Sequence, residues 1–208
     1  RFLNDAFYGI RNSTNRPSRV IIVDDCSNES NFKRLEELAE ANLNGFIPYR
    51  VIRNEANVGP AASRNIGLGL VTTDLVCFHD NDNVVLNDFF GTATRVLSKD
   101  KDLVAVTSKS TFFVDGDYWN ENHDLIENQG YSPIGSDLGL GLQNNVFGDA
   151  LSVFRTDLLR EYGAWDESTR AMWEDWELFL RLCLNGKEVQ VIPRAMYLYR
   201  IRSNSISE

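Results

Sequence analysis

The chain reads as an α/β domain. Helical and strand-like segments alternate through its first half, the strand-like runs are short and apolar or β-branched, and several give way to acidic residues. Such alternation implies a mainly parallel sheet covered by helices on both faces. Residues 2–10 space their apolar side chains as a helix does, and Val20-Ile21-Ile22-Val23 is a buried-strand run. Phe32, Leu35, Leu38, Ala39 and Leu43 fall on one face of the next helix. A strand is expected over 49–52, a small-residue helix over 61–70, a strand over 75–78, a helix over 89–97 and a strand over 103–106. There the alternation stops. Residues 108–145 are rich in Asn, Asp, Gly and aromatics, which predicts a long functional loop or an irregular β region. Order returns over 148–155, and an apolar helix with acids at its start follows over 171–182.

Composition narrows the function. With 208 residues, 43% of them hydrophobic, the chain can bury the core of one domain. A net charge of −9 argues against nucleic-acid backbones and anionic membranes as direct partners, which call for clustered Lys and Arg. Cys26, Cys77 and Cys183 are too dispersed for a zinc knuckle or a CxxC pair and fit reduced thiols. No apolar stretch approaches the ~20 residues of a membrane span, and no signal peptide is recognisable. The chain opens on Arg1 in helical pattern and without Met, so it is read as a fragment or a trimmed chain.

The acidic residues carry the chemistry. The strand ending at Phe78 delivers Asp80 and Asp82, whose spacing in an extended segment puts both side chains on one face. Two carboxylates converging this way suit a hard cation such as Mg²⁺ or Mn²⁺ shared with substrate phosphates. Val23 likewise leads into Asp24 and Asp25, with Ser27 and Asn28 placed to turn the chain and cap the next helix. In open α/β sheets ligands sit beyond the carboxyl ends of the strands, where such a carboxylate can accept from a ribose or a base N–H. Gly59-Pro60 fits a sharp turn into a helix whose first N–H groups can face an anion. Asp175 sits near the start of the last apolar helix, where the helix dipole favours a carboxylate. Each has a plainer alternative: turn formation for the paired acids, N-capping for Asp175.

Taken together, Val23-Asp24-Asp25-Cys26-Ser27, Asn57-Val58-Gly59 through Arg64-Asn65-Ile66-Gly67, Asp80-Asn81-Asp82, Gly148-Asp149 and Trp173-Glu174-Asp175-Trp176-Glu177 resemble, in order and spacing, the family 2 inverting glycosyltransferases of GT-A fold. The resemblance runs from the first helix to Ser207. It implies a Rossmann-like, mainly parallel sheet flanked by helices with a smaller mixed β region, forming a single domain over 1–208. Residues 1–107 would be its nucleotide-binding half and 108–208 its acceptor-binding half. Family members open with a strand ending in a turn that touches the nucleotide, and this chain starts just after that point.

Residue by residue, the resemblance implies nucleotide binding by Asp25 with Asp24 beside it, by Arg64 and Asn65, and by Asp80 on the ribose side. Asp82, with Asp80, would hold Mn²⁺ or Mg²⁺, and a chain of net charge −9 needs such a cation to accept a diphosphate. Asp175 matches the general base that deprotonates the acceptor hydroxyl, and as an ordinary Asp it is expected to be ionised at neutral pH. Gly148, Asp149, Trp173 and Glu174 would contact donor or acceptor sugar. Many members carry a His two residues after the Tyr199-Arg200 pair; here Arg202 stands there, and its planar fork suits a diphosphate, with Ser203 and Ser205 nearby. Packing is the expected role of His79; His123 is ambiguous. Among Tyr118, Trp119, Trp173 and Trp176 only Trp173 is expected to meet the acceptor.

The implied reaction transfers a sugar, most readily from a UDP-sugar, to a glycan or lipid-linked acceptor with inversion, in the cytoplasm or at the inner face of the membrane. Polysaccharide or cell-envelope synthesis is the expected setting. A two-component receiver does not explain residues 173–177, and a sugar nucleotidyltransferase usually carries a basic Gly-rich loop near its first strand. The remaining alternative is a catalytically silent sugar-nucleotide or glycan-binding domain of a larger polymerase.

Overall fold

The computed structural model describes residues 2–86, 88–114, 129–168 and 173–201. Tyr118, Trp119, His123, Arg202, Ser203 and Ser205, all singled out above, lie outside them. Helices α1 (Leu3–Asn12), α2 (Glu29–Leu43), α3 (Pro60–Gly69) and α4 (Phe89–Lys99) alternate with strands β1 (Val20–Asp24), β2 (Tyr49–Arg53), β3 (Leu75–Cys77) and the short β4 (Val84–Val85). Strand β5 (Leu103–Val114), α5 (Leu138–Gly141), β6 (Val153–Arg155), α6 (Thr156–Glu161), α7 (Glu174–Leu184) and β7 (Glu188–Ile201) follow.

Local chemistry accounts for the boundaries that matter to the site. Asn28 caps α2, its side-chain oxygen accepting the Asn31 N–H at 2.9 Å. Gly59 takes φ +89° and Pro60 opens α3, the turn that the Gly-Pro pair calls for. Gly67 faces β1 from α3, where a Cβ would make ordinary contact, 3.4 Å from Val23 Cγ2.

The strands form a parallel pair, β1–β2, and a five-stranded sheet of order β3-β6-β5-β7-β4. In the larger sheet only β5–β7 is parallel; β3–β6, β5–β6 and β4–β7 are antiparallel. The mixed part is therefore larger than the alternation suggests. Among the described residues no strand joins β1 to β3, whose facing edges line a common cavity. Helices cover both faces as expected. Phe7, Leu38 and Phe89 of α1, α2 and α4 share one apolar cluster, and Leu68, Leu159 and Phe179 of α3, α6 and α7 share another.

Two expectations need correction. Strand β5 does not stop at Val106 but runs on to Val114. Its Thr107, Ser108 and Ser110 look like loop residues yet are buried, and the Ser110 and Phe112 N–H groups donate to Tyr131 O and Gln129 O at 2.9 and 3.0 Å. Second, β7 is a 14-residue strand where the sequence pattern offered no element. It pairs with β5 along most of its length, so burial against a long neighbour outweighs its polar interruptions. Since β3 pairs with β6, and β4 with β7, residues 1–107 and 108–208 share one sheet.

Candidate active site

The acidic residues picked out in the sequence collect around a cavity of about 2630 Å³. Asp25 enters from the end of β1, Asp80 and Asp82 from beyond β3, Asp149 from the loop before β6, and Trp173 and Asp175 from the start of α7. The volume exceeds the ~300–1,000 Å³ of ordinary ligand pockets because the cleft continues into the gap between β1 and β3.

The first acid pair is largely consumed by the protein itself. One Asp25 oxygen accepts the Val58 N–H at 2.8 Å and the Asn54 amide at 3.0 Å; the other accepts the Gly59 N–H at 2.8 Å. Burial raises its pKa, but these donors prevail and hold it below the ordinary carboxylate range. The N–H groups of the turn before α3 thus face Asp25. Asp24 is 4% exposed, accepts the Ser27 N–H at 3.1 Å and lies 3.5 Å from Arg53. Both contacts fall on its Oδ2, which serves the turn.

Arg64 and Asn65 are also engaged within the protein. The Arg64 guanidinium donates to Asp80 and to Glu174, both at 2.9 Å, and stacks 4.5 Å from the Trp165 ring. It ties the acidic loop after β3 to the first turn of α7 while lining the cavity. Asn65 turns away: its amide donates to Trp165 O and Glu167, and its oxygen accepts the Trp165 N–H. These bonds make it a strut between α3 and the 165–167 turn. Gly148 is likewise placed for packing, since a Cβ would fall 2.8 Å from Thr107 Oγ1, and its carbonyl accepts the Asn145 amide at 2.8 Å.

The remaining acids are differently placed. Asp80 keeps 45% of its side chain exposed beside the Arg64 bond. Asp175 accepts the Trp176 N–H at 2.7 Å. Burial, aided by the charges of Glu174 and Asp80 and opposed by that N–H and by Arg64, pushes its pKa up to about 6. The expectation of an ordinary carboxylate is thus corrected. Asp149 is pushed up to about 7, by burial first and by Asp175 and Asp80 as well, although the Tyr197 hydroxyl and the Leu151 N–H both donate to it. Trp173 stands 59% exposed at φ +71°, a left-handed conformation uncommon for a bulky residue. Its ring meets Trp176 edge to face at 5.6 Å, and Trp176 Nε1–H donates to Gly141 O.

The sequence reading missed Tyr131, Tyr197 and Arg200. Tyr131 lines the cavity and its hydroxyl donates to Asn145 O at 3.0 Å. Tyr197 and Arg200 belong to β7, and the aromatic and aliphatic run 196–199 was the signal that would have found that strand. His79, for which packing was expected, lines the cavity; its Nε2 is buried without a hydrogen-bond partner, and burial lowers its pKa.

The implied cation has hard-oxygen donors in Asp80 and Asp82. Among the described residues no three His, Cys, Asp or Glu side chains converge to form a complete cage. One or two carboxylates with an open side fit an ion that takes its other ligands from phosphates and water.

Comparison with known proteins places this arrangement. The crystal structure of S. aureus TarS 1–349 in complex with UDP-GlcNAc superposes with a TM-score of 0.72 at 16% identity, covering 99% of this chain and 57% of that one. The fold is GT-A. A family profile, Glycosyl transferase family 2, matches residues 1–163, and the chain belongs to that family. Among sequence relatives, the succinoglycan biosynthesis protein ExoU of Rhizobium meliloti (strain 1021) is 27% identical over 202 residues, covering 91% of this chain and 56% of that protein. Glycosyltransferase GlyA of Streptococcus pneumoniae serotype 4 is 24% identical over 226 residues, covering 99% and 30% respectively. The chain thus spans about half the length of ExoU and less of GlyA.

Proposed function

We propose that the chain is the catalytic domain of an inverting glycosyltransferase that moves a sugar from a nucleoside diphosphate, most readily UDP, to a hydroxyl of a glycan or lipid-linked acceptor. The observation that carries this reading is the shared cavity, where Asp80 and Asp82 face the same space as Trp173 and Asp175. The family membership, the polysaccharide named in ExoU and the UDP-GlcNAc bound by TarS support it. Residues 1–107 supply the donor side and 108–208 the acceptor side. The cytoplasm, at the inner membrane face, is the proposed location; among the described residues no helix is long and apolar enough to cross a membrane.

Within this reading Asp175 accepts the proton of the acceptor hydroxyl as that oxygen attacks the anomeric carbon opposite the leaving diphosphate. A pKa near 6 leaves it ionised at neutral pH and basic enough to share that proton. Trp173 offers an exposed ring for a sugar face, and Arg64 fixes Asp80 relative to the helix that carries Asp175. Mn²⁺ or Mg²⁺ held by Asp80 and Asp82 would offset charge on the departing diphosphate. Thermal stabilisation by UDP, GDP, dTDP and CDP, each with and without Mn²⁺, tests the donor side. A ligand at 100 times its dissociation constant adds about 2.7 kcal/mol. A Mn²⁺-dependent shift with UDP is expected, and no shift with any nucleotide would overturn the proposal.

A further inference from the structure

Arg200 lies at the far end of the chain from the acidic loop, yet it is built into that loop's support. The antiparallel register that sets Leu198 opposite Val84 brings Arg200 alongside Asp82. Its Nε donates to Asp82 O at 3.0 Å and its backbone N–H to Asn83 Oδ1 at 3.1 Å. The guanidinium also pairs with Asp5 in the first turn of α1. It lies 4.3 Å from the centre of the Phe2 ring and 4.4 Å from that of Phe113. The ion pair is fully enclosed, with side chains 0% and 1% exposed.

A buried ion pair is poor value as a source of stability, because desolvating both charges offsets most of their attraction and an apolar pair of equal volume does as well. What it supplies is direction. The planar guanidinium holds five N–H donors in fixed geometry, so fastening it to Asp5 and between two rings fixes where Nε points. Here Nε points at the backbone of Asp82. The loop is therefore gripped twice, by Arg64 on the Asp80 carboxylate and by Arg200 on the Asp82 carbonyl. Arg64 occupies a carboxylate oxygen that a ligand could use, whereas Arg200 meets Asp82 at its backbone carbonyl.

From this geometry we infer that Arg200 is a positioning residue: anchored by Asp5, it sets the Asp82 backbone so that Asp80 and Asp82 present their carboxylates together to a cation-bound diphosphate. The inference rests on the reading of that loop as the donor-diphosphate site. Supporting groups behind a metal ligand are typically worth about 10–100-fold in affinity.

The test is calorimetric binding of UDP with and without Mn²⁺ to wild type, Arg200→Lys and Arg155→Lys. Arg155 serves as control because it braces Leu97, Asp100 and Leu103 carbonyls away from the acidic loop. Arg200→Lys should weaken Mn²⁺-dependent UDP binding about 10–100-fold and change metal-free binding little, while Arg155→Lys leaves both within about twofold. Should Arg200→Lys not fold, Asp5→Asn, which keeps Arg200 but loosens its anchor, should weaken the same Mn²⁺-dependent component by about threefold or more. Unchanged Mn²⁺-dependent binding in a folded Arg200→Lys or Asp5→Asn protein, or equal losses with and without the metal, would reduce Arg200 to a structural ion pair. Wild-type protein that shows no Mn²⁺-dependent UDP binding would instead overturn the donor-site reading, and this inference with it.

Discussion

The acids after β1 and those after β3 look alike in sequence, each following an apolar run, and the structure uses them in opposite ways. Asp25 spends both oxygens on Asn54, Val58 and Gly59, and Asp24 turns its Oδ2 to Ser27 and Arg53. Asp80 meets one cation and keeps nearly half its side chain open. The difference lies in the neighbouring backbone. The turn before α3 presents free N–H groups to Asp25, whereas the segment after β3 leads into β4 and leaves its carboxylates facing the cavity. Paired acids at a strand end therefore differ in how much of their carboxylate they leave open, according to whether a turn of the protein claims their oxygens first.

The largest effect should come from Asp175, which belongs with the open acids. Asp175→Asn should lower transfer by about 10²–10⁴ while UDP binding persists, measured as UDP released with acceptor present. Retained turnover would remove Asp175 from the base role. Next, Asp80→Asn should lose Mn²⁺-dependent stabilisation by UDP while its ligand-free Tm changes little. Asp25→Asn should do the reverse: its amide would set a donor against an N–H of the Val58–Gly59 turn. The cost should be about 1–2 kcal/mol, or about 2–8 °C in the Tm of the ligand-free protein. Identical behaviour of the two variants would erase the distinction between the pairs.

Two smaller effects depend on pH. With Asp175 raised to about 6, it protonates as pH falls, so kcat should drop below about pH 6; calorimetry should show UDP binding holding over the same range. Asp149, raised to about 7, makes the folded chain bind more protons than the unfolded one between the ordinary carboxylate range and about pH 7. Its contribution to stability therefore falls as pH rises across that window. Asp149→Asn should flatten the decline in Tm between pH 5 and pH 8 by a few °C, on the order expected for about 1 kcal/mol. Asp25 acts in the opposite sense: its lowered pKa stabilises the fold above the ordinary range, and that contribution is lost as pH falls through its folded value.

The first half of the fold was legible because its helices and strands keep clean periods, as in the apolar face that Leu38 and Leu43 share on α2. The continuation of β5 was not, since Thr107 and Ser108 carry polar side chains that only the folded sheet buries. Among site residues, the acids could be named from spacing, but the direction of their hydrogen bonds could not. That Arg64 meets Asp80 and Glu174 depends on residues 16 and 110 positions away. Arg200 was hidden for the same reason, its partners Asp5 and Asp82 lying 195 and 118 positions away.

The two sheets give separate reporters on the cleft. The β1–β2 pair and the five-stranded sheet share no ladder among the described residues. Amide hydrogens of Ile21, Ile22 and Val51 belong to the first, and those of Ala105 and Val106, in β5, to the second. A ligand spanning the cleft would slow the first group more than the second, so protection there would report occupancy of the donor side.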